Sequence, residues 1–74
     1  MTVTTLISAK PETDRTVYFH RVFIARENDV TVIERTGANR GDETVVNENR
    51  RYTLTVPAAR AEFRRLVSAG FVQF

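Results

Sequence analysis

The chain has no cysteine and no tryptophan, one histidine, one methionine, two prolines and three glycines. Without cysteine, no disulfide supplements the core and no thiolate can hold zinc. Small secreted domains usually carry disulfides, so the absence points to the cytoplasm. The apolar stretches without charge are only a few residues long. A membrane-spanning helix needs about 20, so no membrane contact is expected. Met1 to Lys10 has no basic stretch followed by an apolar run and does not read as a signal peptide.

Catalytic groups are equally sparse. His20 lies between Phe19 and Arg21 with no candidate partner nearby in sequence. A transition-metal site takes three or four suitable ligands, so no metal or cofactor is expected. Ser8 and Ser68 stand in no strand–turn–helix elbow that would activate a nucleophile. Gly37-Ala38-Asn39-Arg40-Gly41 lacks the Gly-Lys-Ser/Thr ending of a phosphate loop, and Asp42 and Glu43 follow it, where they would repel phosphate. Those two acids read as solvated hairpin residues. The expectation is a protein with no catalytic machinery.

What remains is an ordinary globular composition: 74 residues, 42% hydrophobic and 27% charged. Residues 1–74 form a single domain. A domain this small buries only about 60% of its unfolded surface, so its stability is marginal. The net charge is +2, unevenly placed. Residues 50–74 carry five arginines against Glu62 alone, a balance of +4; residues 1–49 carry six cations against eight acids, a balance of −2. All the cations but Lys10 are arginines, which suit bidentate contact with carboxylate or phosphate.

Val3–Ala9 is β-branched and extended, and Lys10–Asp14 is a polar break containing Pro11. Thr16–Arg26 is the strongest strand. It is apolar at both parities, as expected of a strand covered on both faces or twisted between two neighbours. Glu27-Asn28-Asp29 turns into a second strand, Val30–Thr36. Gly37–Asp42 reads as a loop, Glu43–Val46 as a short strand and Asn47-Glu48-Asn49 as a turn. Arg50–Val56 alternates, with Tyr52, Leu54 and Val56 on one face and Arg51, Thr53 and Thr55 on the other.

Pro57 opens a helix whose apolar arc holds Ala59, Phe63, Leu66, Val67 and Gly70. Gly70 and Phe71 fit a Schellman ending, and Phe71–Phe74 forms either a last extended segment or packing on the core. The expected fold is α+β: a small antiparallel β-meander of four to five strands with one C-terminal helix packed on one face. Its core is Leu6, Phe19, Phe23, Val30, Val32, Leu54, Val56, Phe63, Leu66, Val67 and Phe71.

Two surfaces stand out for contact with a partner. On the helix, Arg60, Arg64 and Ser68 form a stripe at i, i+4, i+8, while Arg65 can pair with Glu62. Arg50 and Arg51 are candidates to extend that patch, and Arg40 is a candidate loop-tip contact. On the sheet, if Phe19 and Phe23 face the helix, then Tyr18, His20, Val22, Ile24, Ile33, Arg35, Arg51 and Thr53 face away. Such a face is a docking surface unless the N-terminal strand, the tail or a second copy of the chain covers it.

The strand order, the segment Arg35-Thr36-Gly37 and the helix Ala58-Ala59-Arg60-Ala61-Glu62-Phe63-Arg64-Arg65-Leu66 before Gly70-Phe71 resemble a WGR domain over residues 16–71. That resemblance implies nucleic-acid binding. Thr36-Gly37-Ala38 stands where the Trp-Gly-Arg signature belongs, and no residue role is carried over from it.

The leading functional expectation is a protein-binding module, an adaptor or stoichiometric inhibitor of the kind phages and mobile elements encode. The alternative is a nucleic-acid-binding module using the basic helix and the aromatic sheet face. A continuous arginine face free of acids would favour nucleic acid; mixed signs around an apolar centre would favour protein. Homodimerisation is a further expectation, because a meander leaves edge strands to be covered.

Overall fold

A computed structural model describes residues 2–40 and 43–73, without the side chains of Arg40 and Glu43. The elements run β1 (Thr2–Pro11), β2 (Thr16–Ala25), β3 (Asp29–Arg40), β4 (Glu43–Thr55), α1 (Val56–Ser68) and β5 (Val72–Gln73). The strands form one antiparallel sheet in the order β4-β3-β2-β1-β5, and α1 packs on one face. This is the expected α+β meander. No helix among the described residues is long and apolar enough to cross a membrane.

Before the helix, four long strands stand where the sequence suggests five shorter extended segments. Gly37–Arg40 continues β3 where a loop is expected, and Glu43–Val46 and Arg50–Thr55 belong to the single strand β4. Gly41 and Asp42 lie outside the described residues. Asn47–Asn49 is no turn. Pairing passes from Glu34↔Arg50 to Arg35↔Glu48, so Asn49 is the extra residue of a β-bulge. Its side-chain amide donates to the Thr36 hydroxyl, which satisfies the turn-forming residue without breaking the strand. The fifth strand is the tail, whose Val72 and Gln73 pair with Ile7 and Leu6.

Thr55 caps α1, its hydroxyl accepting the Ala58 N–H at 3.3 Å, and Pro57 occupies the first turn. At the other end the Gly70 N–H donates to the Val67 carbonyl and the Phe71 N–H to that of Leu66, completing the Schellman motif. Phe71 then packs on the core that contains Leu66. Gly70 has φ of 107°, a conformation that side chains disfavour. An added Cβ would meet nothing within 4 Å, so the strain is purely conformational. Gly70→Ala is therefore expected to cost about 1–2 kcal/mol in denaturant melts.

Leu6, Phe23, Val30, Val32, Ala59 and Leu66 form the buried core between sheet and helix, with Tyr52, Leu54, Val56, Phe63 and Phe71 packed around it. Two expected core residues fall outside. Phe19 is only half-buried, because it lies opposite Ser8 and Thr36, toward the end of the sheet away from the core cluster. Val67 is 48% exposed. It is one helical step, roughly 100°, beyond Leu66 and falls on the solvent shoulder of α1.

Candidate functional site

Antiparallel register gathers side chains into cross-strand rows, and alternate rows face opposite sides of the sheet. Four rows on the face away from α1 concern the site. Val72, Ile7, His20, Arg35 and Glu48 make one; Thr5, Val22, Ile33 and Arg51 the next. Val3, Ile24, Thr31 and Thr53 flank them on one side, and Ala9, Tyr18, Gly37 and Val46 on the other.

At the centre Ile33 is 2% and Val22 7% exposed, buried on this face and apart from the core cluster under α1. β1 and β5 continue the sheet beyond β2. Toward its margin the same face exposes Val3, Val46 and Val72. The grouping of Tyr18, His20, Val22, Ile24, Ile33, Arg35, Arg51 and Thr53 is as expected; the contributions of Ile7, Val46 and Val72 become visible only with the pairings.

Polar groups ring the apolar centre with mixed signs. The Arg51 guanidinium donates to Glu48 Oε1 at 2.9 Å, and this bond, with Arg35 nearby, holds the Glu48 carboxyl below its usual range. Tyr18 and His20 stack with ring centroids 6.4 Å apart. Gly37 leaves a notch between Tyr18 and Val46 that an added Cβ would fill in ordinary contact with the Val46 side chain.

Partial burial lowers the His20 pKa below its usual 6.5, and the Arg35 guanidinium opposite lowers it further. The unfolded chain therefore takes up this proton at higher pH than the folded one. Stability should rise with pH through the window below about 6.5 and fall on acidification through it. Denaturant melts at about pH 7.5 and about pH 5.5 check this: His20→Gln should remove this component of the loss, and Arg35→Gln should reduce it.

The helix-side arginines do not join this surface. Arg51 faces away from α1, whereas Arg50 faces the helix side, its guanidinium over Tyr52 and its Nε 3.0 Å from Glu34. The basic helix and the strand residue Arg51 thus lie on opposite sides of the sheet. Arg65 pairs with Glu62, holding that carboxyl below its usual range, while Arg60 and Arg64 have no ion-pair partner among the described residues. Arg15, Arg21, Arg50, Arg51 and Arg65 all have glutamate partners. Arg40's side chain lies outside the described residues. Among the described residues no three His, Cys, Asp or Glu side chains cluster as a metal site would require.

Compared with known proteins, the chain matches no family model, no curated sequence and no solved structure.

Proposed function

We propose that the chain is a non-enzymatic protein-binding module that acts by stoichiometric contact, as an adaptor or inhibitor, through the sheet face opposite α1. The observation that carries this reading is the apolar surface of that face, where Ile7, Tyr18 and Ile24 are half-buried and Val3, Val46 and Val72 exposed, ringed by His20, Arg35 and the Arg51–Glu48 pair. An apolar centre with a mixed polar rim is the anatomy of a protein interface. Tyrosine and arginine are the side chains that most often anchor one.

Nucleic acid is the weaker reading. Phosphate recognition needs arginines concentrated and free of acids. Here five are engaged with glutamates, and those expected to act together are divided between two sides of the sheet.

The test places a photo-crosslinking amino acid at Tyr18 or Ile24, with the exposed helix position Val67 as control. A polypeptide captured from the sheet positions and not from Val67 supports the reading. Capture of a second copy of the chain narrows it to a homodimer. Salt-sensitive binding of oligonucleotides, lost in Arg60→Glu/Arg64→Glu, would overturn it.

A further inference from the structure

The helix side carries a second feature. Because α1 crosses the sheet without covering the start of β1 and the end of β2, a groove of about 350 Å³ remains between them. Phe23, Ala25, Val30, Val56, Ala59 and Phe63 make it apolar, and Thr2 and Thr4 form its β1 wall. That volume is at the lower end for ligand sites, enough for one or two apolar side chains.

Two cations also line the groove: Arg26, just after β2, and Arg60 of α1. Both are exposed, and neither has an ion-pair partner among the described residues. Five other arginines each have a glutamate. Arg60 lies too early in α1 to serve the helix dipole, which favours cations only in the last turn. Two unpaired guanidiniums on an apolar groove call for carboxylates next to an apolar anchor.

We infer that this groove binds an acidic peptide segment of a partner protein, an aliphatic or aromatic side chain entering among Phe23, Ala59 and Phe63 while flanking carboxylates meet Arg26 and Arg60. A nucleobase fits less well. Phe23 and Phe63 meet edge to face, with rings at 69° and centroids 5.5 Å apart, so they form no flat stacking platform. The inference concerns the opposite side of the molecule from the proposed docking face and stands or falls independently of it.

The probes are labelled six-residue peptides alternating glutamate with leucine or phenylalanine, followed by anisotropy and amide NMR shifts. Saturable binding is expected, weakened about tenfold by Arg26→Glu/Arg60→Glu and changed less than about twofold by Arg64→Glu. Arg64 is equally unpaired but lies outside the groove. Shifts should centre on Thr4, Ala25, Ala59 and Phe63, and peptides with lysine for glutamate should not bind. All three arginines are exposed, so the variants should fold, which circular dichroism checks. Three results would overturn the inference: no saturable binding by any acidic peptide, equal weakening by Arg64→Glu, or shifts centred on Val22 and Ile33. Tighter binding of a short oligonucleotide, lost in the same double variant, would replace the peptide with nucleic acid.

Discussion

Leu6→Ala is expected to remove about 2–5 kcal/mol of stability, the range for truncating a fully buried leucine. Leu6 and Val32 are the largest side chains with no solvent exposure, and Leu6 lies between the sheet and α1. Its strand is held by β2 on one side and by the two residues of β5 on the other. At the usual stability per residue, a chain of this length has about 4–11 kcal/mol in total, so the variant should be substantially unfolded at 37 °C if the chain is near the lower end.

The informative comparison is Ile33→Ala. Ile33 is nearly as inaccessible as Leu6, at 2% against 0%, but it faces away from α1, opposite Arg51, and is not part of the cluster packed under the helix. Truncating it leaves a dent that water can enter instead of a closed cavity. The cavity part of the penalty should shrink, leaving a cost of about 1–2 kcal/mol. Urea melts of the two variants check the difference. Equal costs would mean that Ile33 is sealed as tightly as Leu6, and a cost that grows with protein concentration would identify a second copy as part of the seal.

The same contrast explains what could be read from the residues alone. The alternation of Arg51 and Thr53 against Tyr52 and Leu54 places those residues on their faces without any tertiary information. The double parity of Thr16–Arg26 is that of a central strand with apolar neighbours on both sides, Phe23 toward the helix and Val22 away from it. Gly70-Phe71 announces the helix ending through backbone chemistry that is local.

What stayed hidden depends on long-range pairing. Asn47 and Asn49 have turn chemistry, yet β3 offers a full ladder and a bulge absorbs the surplus residue, so the turn preference loses. Ala38 and Asn39 are likewise drawn into β3 by their pairing with Val17 and Thr16. Arg26 and Arg60 are far apart in sequence, and their common groove exists only because α1 leaves one corner of the sheet uncovered.

Glu34→Gln is the second substitution expected to have a large effect. Glu34 stands on the central strand β3 with a cation on each side: Arg21 Nε at 3.4 Å from Oε1 and Arg50 Nε at 3.0 Å from Oε2. The two partners are not equivalent. The Arg21 and Glu34 side chains are each 20% exposed, whereas that of Arg50 is 64% exposed. Arg21 Nε is buried and, although close to Glu34, is not aligned for a hydrogen bond; the guanidinium also donates to the His20 carbonyl, lies over Phe71 and feels Glu62, but Glu34 is its one ion-pair partner among the described residues.

The glutamine keeps the shape and removes the charge, leaving Arg21 without its ion pair. A cost of about 1–3 kcal/mol follows, below the 3–5 of a fully buried pair because part of the site is wet. Arg50→Gln should cost about 0–1 kcal/mol, since water replaces what an exposed partner loses. Removing both charges in Arg21→Met/Glu34→Leu should recover most of the loss, because no orphaned charge then remains inside. Arg21–Glu34–Arg50 is also the last row before the bulge, so the network fixes the register from which β4 resumes. In Glu34→Gln, amide exchange should therefore accelerate first in β4 from Thr44 to Arg50, while Leu54 and the α1 amides keep their protection. A uniform acceleration would instead mean that the network stabilises the domain as a whole and does not fix the register of its edge strand.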